Sequence, residues 1–155
     1  MRIVNGDSAR PTAPPPRPSY FFARQAVNDI VTRFATHTMR QRVDVVVDVP
    51  AGLRLLADSE LFDFAVDHLV SGAIAAMPYG GELTITGVAT PQGVELEVAD
   101  ERPDTAPDVA RIINDPRVQR CIGAHGGRVM AQPCPTGGIA ITLCLPRVEA
   151  VRTAA

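Results

Sequence analysis

Two apolar rows run side by side through residues 59–77: Leu61, Ala65, Leu69, Ala73 and Met77 beside Phe62, Val66, Val70 and Ile74. A helical stripe that wide suits a helix lying flat on a sheet rather than one touching a single neighbour. Ser59, after Asp58, is the expected N-cap, and Glu60 in the first turn favours the helix dipole. Pro78 and Gly80-Gly81 stop the helix. Residues 82–88 and 94–99 then alternate, with Leu83, Ile85, Val94, Leu96 and Val98 on one face and a turn at Pro91-Gln92-Gly93. They read as neighbouring antiparallel strands, the partner that the helix requires.

The rest of the chain extends this pattern. Val27, Ile30, Val31 and Phe34 place an amphipathic helix over residues 21–41. Residues 43–49 are β-branched and read as a strand, broken by Pro50-Ala51-Gly52, and a short apolar piece runs from 53 to 56. Residues 107–123 have roughly helical spacing, interrupted at Asp115-Pro116 and ended by Gly126-Gly127. Strands over 128–132 and 139–145 close the chain. The order is helix, strand, helix, strand, strand, helix, strand, strand. This predicts one α/β domain, a two-layer sandwich with helices on one face of the sheet. The domain is expected over residues 20–147, after a proline-rich, extended or disordered lead-in at 1–19 and before a tail at 148–155.

Composition removes several functions. The chain has 155 residues and a net charge of −2, and all 15 basic residues are arginines spread along the sequence. Nucleic-acid binding needs clustered positive charge, so no such surface is expected. Lysine chemistry of the P-loop or Schiff-base kind is excluded outright. No apolar run approaches the ~20 residues of a membrane helix, and no secretory signal opens the chain. The three cysteines, Cys121, Cys134 and Cys144, form no CxxC pair. Together with the missing signal they fit a cytoplasmic setting. Cys121 and His125 stand four apart, the spacing for a shared metal, but free thiols are expected instead.

Four motifs in order then resemble the ATP-binding domain of sensor histidine kinases, within the GHKL superfamily that includes gyrase and MutL. They are Asp58 with the stretch from His68 to Gly81, then Val98-Ala99-Asp100, then Ala124-His125-Gly126-Gly127, then Gly137-Gly138 through Leu145-Pro146. The resemblance spans roughly residues 21–147. It implies a Bergerat-like fold, with a mixed and mostly antiparallel sheet.

It also assigns roles. Asp100 stands where the family's aspartate hydrogen-bonds the adenine amino group. His68 and Gly72 stand at the two asparagine positions of the family's helix. The second of these holds Mg²⁺, and glycine offers no oxygen to a hard cation. His68 occupies the position of a general base in the wider group, and an ordinary polar residue at a helix edge is the bland reading. Arg102 and Asp104 replace pocket glycines. Arg102 either pairs with a phosphate or fills the pocket, while Asp104 disfavours phosphate. The glycine-rich lid is absent between Asp100 and His125. His37 lacks the acidic neighbour of a phosphoacceptor.

The resemblance therefore implies a degenerate, non-catalytic domain of bacterial two-component signalling, a pseudokinase that binds a sensor kinase or response regulator. On this reading no metal is bound, and binding of ATP and Mg²⁺ is weakened. A homodimer is compatible with it. The alternative is a signalling kinase domain, of the sensor histidine kinase or anti-sigma serine kinase type, that still binds ATP. A phosphotransfer module built on the same fold is the third reading.

Overall fold

The computed structural model describes residues 13–103 and 108–146. The first part of the lead-in, Asp104 and the 148–155 tail lie outside the described residues.

The central sheet has five strands in the order β2-β4-β5-β7-β6. These are β2 (Val43–Asp48), β4 (Gly81–Thr90), β5 (Gly93–Asp100), β7 (Ile139–Pro146) and β6 (Arg128–Pro133). β2 runs parallel to β4, and the other pairs are antiparallel. The sheet is mixed and mostly antiparallel, as expected. Alternation sorts its side chains. Leu83, Ile85, Leu96, Val98, Ile141 and Leu143 are buried on one face, while Glu82, Val88 and Met130 are exposed on the other.

α3 (Ser59–Ala75) lies on the buried face and buries both predicted rows, from Leu61 to Ile74. α1 (Ala23–Arg33) and α5 (Pro116–His125) flank it. Each buried Phe, Leu, Ile or Val side chain contributes about 1.5–3 kcal/mol by removal from water, so the wide stripe of α3 is the main tie between the layers. Among the described residues no helix is long and apolar enough to cross a membrane.

Four local expectations are corrected. The N-cap of α3 is Asp58, whose carboxylate accepts from the N–H groups of Glu60 and Leu61, both at 3.1 Å. Its other oxygen accepts from Arg17 N–H at 2.8 Å. Chiefly this Arg17 bond, and then those from Leu61 and Glu60, hold the Asp58 carboxyl below its usual range. A carboxylate both neutralises the helix end and reaches two orphan donors, so it takes the place expected of Ser59.

The helix expected from residue 21 begins at Ala23, because Pro18–Phe22 forms a strand, β1, across the boundary expected between lead-in and domain. β1 pairs antiparallel with β3 (Arg54–Asp58), a full strand where only a short apolar piece was read. Proline suits an outer edge strand, and Phe21 packs on Phe62 with ring centroids 5.3 Å apart.

That same helix also breaks at Phe34, and α2 (Ala35–Gln41) buries no residue, so nothing apolar holds it in line with α1. The interruption expected at Asp115-Pro116 is present: the region divides into α4 (Val109–Ile113) and α5, with Asp115 as N-cap and Pro116 at the first helical position. Proline is preorganised there and sacrifices only an N–H that has no helical partner.

Candidate functional site

β5 delivers Asp100 to the end of the sheet between β4 and β7, in register with Leu83 and Ile139. Its side chain is only 2% exposed, and that of Arg102 9%. Arg102 folds back over it. Nε lies 2.9 Å from Oδ1 and 3.1 Å from Oδ2, and a terminal guanidinium nitrogen lies 2.6 Å from Oδ2. The Arg102 backbone N–H adds a bond to Oδ1 at 3.0 Å. A carboxylate has about four acceptor sites, so these contacts saturate it. The planar fork explains why arginine performs this better than lysine would.

Gly138, in the turn between β6 and β7, lies against the backbone of Asp100 and Glu101. An added Cβ would collide with the Asp100 carbonyl oxygen. The Gly137-Gly138 pair holds that approach at φ +101° and +88°.

The helix layer carries His68 and Gly72. Gly72 is exposed on α3, and a Cβ there would meet nothing within 4 Å. Packing does not demand glycine at this position. His68 Nε2 lies 3.4 Å from Asp115 Oδ2. Asp115 in turn accepts from Arg117, from the backbone N–H at 2.9 Å and from Nε at 3.1 Å. Burial pulls His68 below its ordinary value of 6.5, Asp115 opposes that pull, and the Arg117 charge adds to it. His68 is therefore neutral at neutral pH. Asp115 is held ionised chiefly by its bonds from Arg117.

The stability consequence has a definite sign. A histidine whose folded pKa is depressed binds more protons when unfolded, so its contribution is full above 6.5 and is lost as pH falls through the lower folded value. His68→Asn is expected to flatten the dependence of the urea midpoint on pH below 6.5, measured against the wild-type chain.

The structure thus joins Asp100 with Arg102, and His68 with Asp115. No hydrogen bond or ion pair links the two pairs among the described residues. Asp115 and Arg117 were not singled out as site residues, although Asp115-Pro116 is a readable helix start. The Cys121–His125 pair is structural. Asp58 N–H donates to His125 Nε2 at 2.8 Å, and Nδ1 donates to the Cys121 carbonyl at 2.6 Å. Both ring nitrogens are used, and burial pushes the Cys121 thiol up to about 12, which disfavours the thiolate a metal needs. His37 is exposed, edge-on to Phe34.

This architecture is the fold of histidine kinase catalytic domains. The nucleotide-free catalytic domain of histidine kinase ThkA matches with a TM-score of 0.76 at 18% identity, over 84% of this chain and 95% of that one. ThkA in complex with response regulator protein TrrA matches at 0.74 and 18%, over 84% and 42%. Full-length ShkA in complex with AMPPNP matches at 0.71 and 19%, over 83% and 31%. In sequence, the chain is 27% identical over 140 residues to the sensor-like histidine kinase SenX3 of Mycobacterium tuberculosis, covering 77% of this chain and 34% of the relative. SenX3 of Mycolicibacterium smegmatis is 31% identical over 74 residues, covering 48% and 19%. The chain spans about a third or less of these curated relatives. No family model matches.

Proposed function

We propose that this chain is a degenerate histidine kinase-like domain, residues 20–147 with β1 added, that acts by protein contact rather than by phosphotransfer. The carrying observation is the saturated Asp100 carboxylate. In the family this group would accept from the adenine amino group, and here Arg102 already supplies a charge-assisted, bidentate substitute. Adenine can bind only by displacing it, which exchanges a buried ion pair for one neutral hydrogen bond. A second feature supports the reading. The N-terminus of α5, a ready site for anions, is already capped by the Asp115 carboxylate. Phosphate there would meet like charge. Gly72 adds no ligand for Mg²⁺. The TrrA complex of ThkA makes a response regulator, or the kinase that feeds one, the natural partner class.

The test is thermal and calorimetric titration of the full chain with ATP, with and without Mg²⁺. No stabilisation is expected. A ligand present at 100 times its Kd stabilises by about 2.7 kcal/mol, and a shift of that order at millimolar ATP would overturn the proposal.

The second reading, a kinase domain that still binds nucleotide, is favoured by Asp100 keeping its place at the sheet end and by the open surface at Gly72. Under it, binding occurs and Asp100→Asn abolishes it.

A further inference from the structure

We infer that the outer edge of β1 is a self-pairing surface, and that its partner is a second copy of this chain. The hydrogen-bonding pattern of β1 carries the inference. Ala23 N–H donates to Leu53 O at 3.0 Å, in the register that pairs Phe21 with Leu55 and Ser19 with Ala57. Antiparallel ladders alternate, so the odd-numbered residues of β1 direct their backbone groups toward β3. Pro18, Tyr20 and Phe22 direct theirs outward. Among the described residues the Tyr20 N–H and C=O, the Phe22 N–H and the Pro18 C=O meet no hydrogen-bond partner, and only the Phe22 C=O is engaged, by α1.

These outward groups are self-complementary about Tyr20. In an antiparallel pair centred there, Tyr20 N–H and C=O exchange two bonds with Tyr20 of the second copy. Phe22 N–H then meets the Pro18 C=O of the other strand, twice by symmetry. The reverse bond would run from Pro18 N to Phe22 O. Proline has no N–H to give. Phe22 is the N-cap of α1, so its carbonyl already accepts the first helical bond. The missing donor thus faces the one acceptor already engaged, and nothing is stranded.

The side chains agree. Tyr20 is 67% exposed and Phe22 49%, and pairing sets Tyr20 against Tyr20 and Phe22 against Pro18. No charge lies between Pro18 and Phe22. The edges of the main sheet are guarded differently, by Asp44 and Asp48 on β2 and by Arg128 and Pro133 on β6, the usual means of discouraging edge pairing. Arg54 stacks over the Tyr20 ring, 5.2 Å from its centroid, and would sit above the paired rings. The two-stranded sheet would become four-stranded, in the order β3-β1-β1-β3. The contact is smaller than a standard stable interface, so association should be concentration-dependent rather than obligate.

Sedimentation equilibrium of the full chain, with nucleotide omitted, tests this independently of the reading of the Asp100 site. A reversible monomer–dimer equilibrium is expected, weakened at least about tenfold by Tyr20→Glu, which places like charges directly opposite each other. Under mild oxidation Tyr20→Cys should form a disulfide-linked dimer, since its symmetry mates would lie about 5.5 Å apart. Ser19→Cys should cross-link no more than the wild-type chain. A chain that stays monomeric to about 1 mM, where weak association is readily seen, would overturn the inference. So would a dimer indifferent to Tyr20→Glu, or one cross-linked through residue 19 instead.

Discussion

Gly138→Ala is expected to destabilise the chain by more than about 4 kcal/mol, the range reserved for mutations that strain the backbone or break a core. Two effects combine. At φ +88° an L side chain is strained, by roughly 1–2 kcal/mol. In addition the new Cβ would overlap the Asp100 carbonyl and press on Glu101 Cα, which are backbone atoms without rotamers to escape into. Relief requires β5 and β7 to part where Asp100 pairs with Ile139. Gly137→Ala is the control. Its φ of +101° is also strained, but a Cβ there meets nothing within 4 Å, so only the strain of roughly 1–2 kcal/mol should appear. Urea denaturation of both variants measures the contrast. Equal losses would show that the approach to Asp100 does not matter. With total stability of about 5–15 kcal/mol typical of a domain, Gly138→Ala could leave no folded chain at 37 °C, and the comparison is then made at low temperature.

The layers were legible because burial imposes period on sequence. α3 and the pair β4–β5 are long and regularly apolar, and each proved to be the element its period required. Less was visible where structure depends on partners distant in sequence. β1 is five residues opening on proline, and only its pairing with β3, more than thirty residues later, makes it a strand. The apolar period that predicts one helix over residues 21–41 ends at Phe34, and the helix breaks there because α2 carries no apolar row to continue it. The cap passed from Ser59 to Asp58 because the Asp58 carboxylate reaches the N–H groups of both Glu60 and Leu61. At the site, residue identities were legible but their contacts were not. Arg102 could be read as a phosphate ligand or as a filler. Only the geometry shows it bound to its neighbour two residues back. His68 gained Asp115, from the start of another helix, as its companion.

Arg102→Ala is expected to cost about 3–5 kcal/mol, the usual loss when one member of a buried ion pair is removed and its partner is left charged. Asp100 would keep only the backbone N–H of residue 102 among its present contacts, in a position nearly closed to water. The variant would then recover stability when Asp100 is also made Asn, which needs no cation. Urea unfolding of the two single variants and the double variant measures the coupling, expected at 1 kcal/mol or more because the groups touch. Additive losses would mean that the pair is a surface accident rather than a lock. The same variants bear on function. If Arg102 is what denies adenine its acceptor, removing it opens the site, and Arg102→Ala should gain a nucleotide-dependent thermal shift that wild type lacks and that the double variant loses. Stability and binding are thereby set against each other at one residue. On the proposed reading, the arginine that holds the end of β5 together is also the group that closes it to a ligand.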